Sequence, residues 1–287
     1  MNDHMKGIAI TTLGILLVTP DTIFVRMITA DPMVISFWRG LLSGFVVLIL
    51  VGAIQGRAGF RSVFQTGWLG VLYVGLIGST TFAVVLAVEH TSVANVVFIF
   101  AAMPIFALIF SRILLGEPIH RRMVFTMIAV IVGLCIIGYG SRSSQIASWK
   151  GDLWALYVAA AYALALTVLR MLKGTSMVPA IPIAYIGAAL LVGIFIDPIP
   201  AFSAQWSTFV SHGVFVGFAT CLLTIGPRYI SAAEVALLVL LESVLAPFLI
   251  WVIAGEHPGK WVIIGGMVVI GALLVSNLVV LLRRRPQ

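Results

Sequence analysis

Glu242 stands midway along an apolar stretch, Ser231 to Pro258, long enough to cross a bilayer as one helix of about 23 residues. An acid at that depth is costly, so it belongs in a bundle interior or a wet cavity, where it can hold a cation or trade protons. Two more ionisable groups lie within apolar spans, toward the outer side. Asp21 follows Pro20 in the run Thr19-Pro20-Asp21-Thr22, where the missing proline N–H should kink the helix beside the acid. Arg39 lies about two turns into the next apolar stretch, and a short hairpin brings it level with Asp21. The pair reads either as an internal salt bridge that makes both charges tolerable or as a polar gate on the outer side.

Softer candidates surround these charges. Ser79 and Phe82, three apart on one helical face, can line a cavity, whereas Gly75 and Gly78 beside them suit close helix packing. Asn95 and Phe98 precede a midspan Met103-Pro104. Tyr157 shares a face with Trp154 and Ala161, and offers ring area together with a hydroxyl; Tyr162 points elsewhere by helical spacing. Thr220 and Thr224 share a face, with bonding back to helix carbonyls their commoner use. His4, His90, His120, His212 and His257 fall near helix ends or tails and read as surface residues. No metal-ligand spacing, phosphate-binding loop or nucleophile elbow occurs, so no metal or cofactor is implied and neither ATP-driven pumping nor triad hydrolysis finds support.

The elements that must position these residues are membrane helices. The chain is 61% hydrophobic and 9% charged, against about 25% charged for a soluble domain. Apolar spans are expected near 6–28, 33–54, 66–89, 92–114, 120–140, 149–171, 179–197, 208–228, 231–253 and 260–282, with short connections. The first is too long, and too poor in a small-residue cleavage site, for a signal peptide. With both termini cytoplasmic, Lys6, Arg57, Arg61, Arg112, Arg121, Arg122, Arg170, Lys173, Arg228 and Arg283 to Arg285 fall inside. Only Arg26, Arg39, Arg142, Lys150 and Lys260 fall on or toward the other side. The net charge of +7 therefore reports topology rather than nucleic-acid binding. Cys135 and Cys221 lie within spans at different depths and indicate neither a disulfide nor a metal site.

The chain also repeats itself. Gly78, Thr81, Ser92, Ala94, Val96, Ala107, Gly116 and Glu117 recur without a gap as Gly217, Thr220, Ser231, Ala233, Val235, Ala246, Gly255 and Glu256. Gly7 and Arg26 have the spacing of Gly151 and Arg170, each arginine followed by Met. Five spans per half is an odd number, so the halves, 1–141 and 142–287, enter the membrane in opposite orientation. Inverted repeats suit secondary transporters, which open a midplane site to each side in turn. The two Gly-Glu endings read as hairpin architecture, glycine capping one helix and the acid facing the start of the next.

These residues resemble those of the drug/metabolite transporter superfamily in its EamA-type branch, and are similar to YddG-type amino-acid exporters. The resemblance rests on the two halves, Arg39 in PMVISFWRGLLSG, Pro104 in FAAMPIFALIF and both Gly-Glu endings. One departure stands out: many relatives carry Glu-Pro in the ninth span, whereas here Glu242 is followed by Ser243, with Pro247 one turn later. The resemblance implies an all-α integral membrane protein of ten helices, in a bacterial inner membrane, exporting small metabolites through a central cavity. Such a protein is not an enzyme, and its partners are a small-molecule substrate and membrane lipid, not nucleic acid; it is expected as a monomer or weak homodimer. Amino acids, aromatic and apolar ones included, are the expected substrates. Phe82, Phe98 and Tyr157 would meet the side chain, and Ser79, Asn95 and Glu242 the zwitterion. Pro20, Asp21 and Arg39 would serve as gate or charge pair. Efflux of quaternary ammonium drugs is the alternative, since an acid beside aromatic rings also holds a cation.

Overall fold

The computed structural model describes residues 3–90, 99–100, 102–140, 149–242, 244–245, 249, 252 and 260–283, and among these the ordered elements are helical. Pro20 divides the first span: α1 (Asp3–Val18) stops at a turn and α2 (Asp21–Met27) starts afresh. The break follows from the missing N–H, which leaves Pro20 contributing only its carbonyl, to Ile23 N and Phe24 N at 3.0 Å. Asp31 caps α3 (Pro32–Ile54) by accepting from Met33 N at 2.8 Å, with Pro32 in the first turn where no N–H is needed.

A short helix not anticipated in the sequence, α4 (Gly56–Phe64), then runs into α5 (Trp68–His90) at a bend of 102°. It buries Gly59 and Val63 and exposes Arg57 and Arg61, as suits a helix lying at a membrane interface. Next come α6 (Met103–Leu115), α7 (Arg121–Gly140), α8 (Trp149–Met171) and α9 (Ala180–Gly193). Gly116 ends α6 at φ +66°, the left-handed cap expected of the Gly-Glu motif. The chain closes with α10 (Ile199–Ile225), a 3₁₀ turn (Gly226–Arg228), α11 (Ala232–Val239) and α12 (Lys260–Arg283).

By length and composition four described helical stretches can each cross a membrane, Asp3–Val25, Pro32–Ile54, Trp149–Met171 and Ile199–Arg228, and a fifth can if α4 and α5 form one bent span. Three further apolar helices, Met103–Leu115, Ala180–Gly193 and Ile263–Ser276, are shorter. Parts of the expected spans 92–114 and 231–253 lie outside the described residues. In the ninth segment α11 ends at Val239 and the chain passes Leu241 on bonds of the i to i−3 kind, Leu241 N to Leu238 O at 2.9 Å and Val244 N to Leu241 O at 3.1 Å. Glu242 therefore follows a break in the helix.

Helix pairing has a two-part pattern. Packed pairs include the couples α5 with α8 and α1 with α10, α3 with α10 and α5 with α9, α6 with α8 and α1 with α11. In each couple one pair converts into the other when first-half helices are exchanged for second-half ones. The pairs α8 with α11 and α3 with α5 pack without such a counterpart among the main contacts of the described residues. The pairs α3 with α9, α6 with α11 and α7 with α12 convert into themselves. Small residues permit the close approach: Ala155, Ala159 and Ala163 form a buried line on α8. Gly213 of α10 is closer still, since a Cβ there would collide with Leu42 Cβ and stand 3.1 Å from the Leu42 backbone on α3. Gly213→Val is expected to cost about 1–3 kcal/mol through overpacking, read as a lower melting temperature in detergent; an unchanged melt would contradict this packing.

Candidate functional site

The breaks at Pro20 and Leu241 bring the deep charges together. Arg39 donates to Asp21 through Nε, at 3.0 and 3.2 Å to the two carboxylate oxygens, and through Nη2 at 2.7 Å. This forked geometry fixes α3 against α2. A third group completes the cluster: His212 Nε2 meets Asp21 Oδ1, and the imidazole, fully buried, stacks on Phe24 with ring centroids 5.3 Å apart. Its Nδ1 has no hydrogen-bond partner among the described residues. Glu242 is partly buried, and stands close enough for the charges of Asp21 and Arg39 to act on it. Among the described residues it makes no ion pair of its own.

The surface assignment of His212 is thus overturned. α10 kinks at Gln205, so the helix that carries His212 starts close to the expected 208; what buries the imidazole is its packing onto Asp21 and Phe24 of α2. His4 is corrected likewise: it is buried and its Nε2 lies 3.2 Å from Glu234 Oε1.

Tyrosines missed in the sequence stand next to the charge cluster. Tyr73, Tyr162 and Tyr185 line an internal cavity of 30 Å³ with Thr80, Thr220 and Thr224, room for about one water. The Tyr73 hydroxyl lies 3.2 Å from Thr224 Oγ1, and the Tyr185 hydroxyl 3.2 Å from Thr220 Oγ1. Thr220 also donates back to Val216 O at 2.8 Å, as its type suggested. Tyr162, expected to point away, is within electrostatic reach of Glu242 and Arg39. Tyr157 instead pairs with Ser79, hydroxyl to hydroxyl at 2.7 Å, and is 41% exposed, with Trp154 edge-on at 6.1 Å. Phe82 is partly buried one turn beyond Ser79. Asn95, Phe98, Ser243, Pro247 and the second Gly-Glu ending lie outside the described residues.

A second polar cluster occupies the face that carries the N-terminus of α1. Glu234 caps α11 in a reciprocal box with Ser231. The same carboxylate accepts from Arg122 Nη2 at 2.8 Å, and Arg122 Nη1 donates to Ser276 O at 2.8 Å. Nearby, Arg170 Nε donates to Glu117 Oε1 at 3.1 Å, so Glu117 is more than the hairpin residue expected. A cavity of 490 Å³ opens between these pairs.

The model of the EamA-like transporter family matches residues 5–139 and again 149–278. The pseudopaline exporter CntI of Pseudomonas aeruginosa, from strain UCBPP-PA14 and identically from strain PAO1, is 24% identical over 254 residues, 85% of this chain and 85% of that one. A crystal structure of another protein shares the fold, with TM-score 0.81 at 19% identity, over 96% of this chain and 98% of that one.

Proposed function

The chain belongs to the EamA-like transporter family, and from that premise we propose that it exports amino acids, aromatic and apolar ones included, and related small metabolites. As a family member it is a multi-pass membrane transporter and not an enzyme. In this reading ten helices form two inverted repeats in a bacterial inner membrane, both termini cytoplasmic, and a central site opens to each side in turn. The interchangeable helix pairs and the two matched stretches support the repeats. The export of pseudopaline by a relative supports the direction of transport.

The observation that carries the proposal is the charge balance around Glu242. Two carboxyl groups, Asp21 and Glu242, stand by one guanidinium, and Arg39 is already engaged by Asp21. A carboxyl group with no ion-pair partner among the described residues suits an ammonium group. Tyr162 beside the acid, and the Ser79–Tyr157 pair with Phe82, supply ring surface and hydroxyls for the rest of an amino acid. Asn95 and Phe98 remain part of the proposed lining on their sequence positions.

Cells producing the protein are expected to resist a toxic aromatic amino-acid analogue such as p-fluorophenylalanine and to accumulate less of it. Equal accumulation with and without the protein would contradict export. The same unpaired acid beside aromatic rings favours efflux of quaternary ammonium compounds as a second reading. Resistance to such a compound with no effect on amino-acid levels would decide for it.

A further inference from the structure

The 490 Å³ cavity on the N-terminal face falls within the roughly 300–1,000 Å³ range of small-molecule sites. Its wall carries the charged side chains of Glu117, Arg122, Arg170 and Glu234.

The two ion pairs on the wall differ in kind. Glu234 is saturated: Oε1 takes His4 and Arg122, and Oε2 takes the backbone N–H and hydroxyl of Ser231. That pair ties α1, α7 and α11 together and has nothing left to offer. Arg170 and Glu117 meet through a single hydrogen bond, Nε to Oε1, although a guanidinium and a carboxylate can make two. Arg170 Nη1 is spent on the carbonyls of Pro227 and Arg228, at 3.3 Å each, which pins it to the 3₁₀ turn. Among the described residues, Glu117 Oε2 and Arg170 Nη2 have no partner, and both side chains are partly exposed, at 27% and 20%. An unused anion acceptor and an unused cation donor therefore stand side by side on the cavity wall.

The geometry points to a zwitterion-receiving site at this mouth, separate from the central acid, in which the Arg170–Glu117 pair opens to take a carboxylate on Arg170 and an ammonium on Glu117. Exchanging one ion pair for two keeps the local charge at zero, so neither a plain anion nor a plain cation gains as much as a molecule carrying both. The choice of an amino acid as solute rests on the export reading; the preference for a zwitterion rests on the pair alone.

The test uses the full chain in lipid nanodiscs with Glu242→Gln as background, so that binding of labelled L-phenylalanine reports the mouth. Competitors are 3-phenylpropanoate, which lacks the ammonium, and 2-phenylethylamine, which lacks the carboxylate. L-Phenylalanine is expected to bind at least about tenfold tighter than either, and adding Glu117→Gln or Arg170→Gln should weaken it at least about tenfold. Glu234→Gln lowers the melting temperature but keeps the zwitterion preference. Unchanged affinity in Glu117→Gln and Arg170→Gln, or equal binding of the half-ligands, overturns the site. Wild-type protein that moves amino acids without this binding leaves export standing and sinks the mouth site; binding without flux does the reverse.

Discussion

Arg39→Met should destabilise the protein by about 3–5 kcal/mol, read as a large fall in melting temperature in detergent and less protein in the membrane. The loss arises because Asp21 would keep its buried place with only His212 beside it, after losing all three hydrogen bonds from the guanidinium. The double variant Asp21→Asn with Arg39→Met should recover most of that stability, since removing both charges also removes the cost of burying them. Low transport in this double variant, with stability recovered, is the result expected of the proposed gate role of the pair. A single variant that melts within about 1 kcal/mol of wild type would show that the pair is solvated and not a structural lock.

Glu242→Gln should have effects of opposite sign on stability and on transport. The carboxylate has no ion-pair partner among the described residues and lies near Asp21, a like charge. Neutralising it removes a desolvation cost, so the melting temperature should hold or rise. Flux of a zwitterion should fall by at least about a hundredfold, which corresponds to about 2.7 kcal/mol of lost charge-assisted binding. If Glu242 also carries the coupled proton, the residual flux will ignore an imposed pH gradient. Full rate and full pH dependence in the variant would remove Glu242 from both roles.

The parts of this account that were legible in the sequence depended on local rules. The hairpin between two apolar stretches put Asp21 and Arg39 at one depth, and proline chemistry placed the break at Pro20. Gly116 took the left-handed cap that its position required. What failed depended on which face turns inward and what packs over it. His212 lies about two turns past the kink of α10 at Gln205, near a helix end as expected, but α2 packs over it, and no spacing within its own span announces that contact. Helical spacing set Tyr157 and Tyr162 on different faces of α8 but turned the wrong one inward, because alanines occupy both faces and leave no polarity contrast; Tyr162 lines the internal cavity. Contacts across 112 and 230 residues, Arg122 and His4 on Glu234, follow no spacing rule and emerge only when α1, α7 and α11 converge. The second-half counterparts of Asn95 and Glu117 are Glu234 and Glu256, so the repeat register aligned positions without revealing their partners.

The central claim is export of amino acids through a site that includes Glu242. The most direct measurement is flux in proteoliposomes containing this protein alone, with labelled aromatic, aliphatic and charged amino acids and one quaternary ammonium compound. Saturable flux of aromatic and apolar amino acids, lost in Phe82→Ala and Tyr157→Ala proteins that still melt cooperatively, is the predicted result. Movement of the quaternary ammonium compound alone would contradict amino-acid export and leave Glu242 as the counter-charge of a drug-efflux protein.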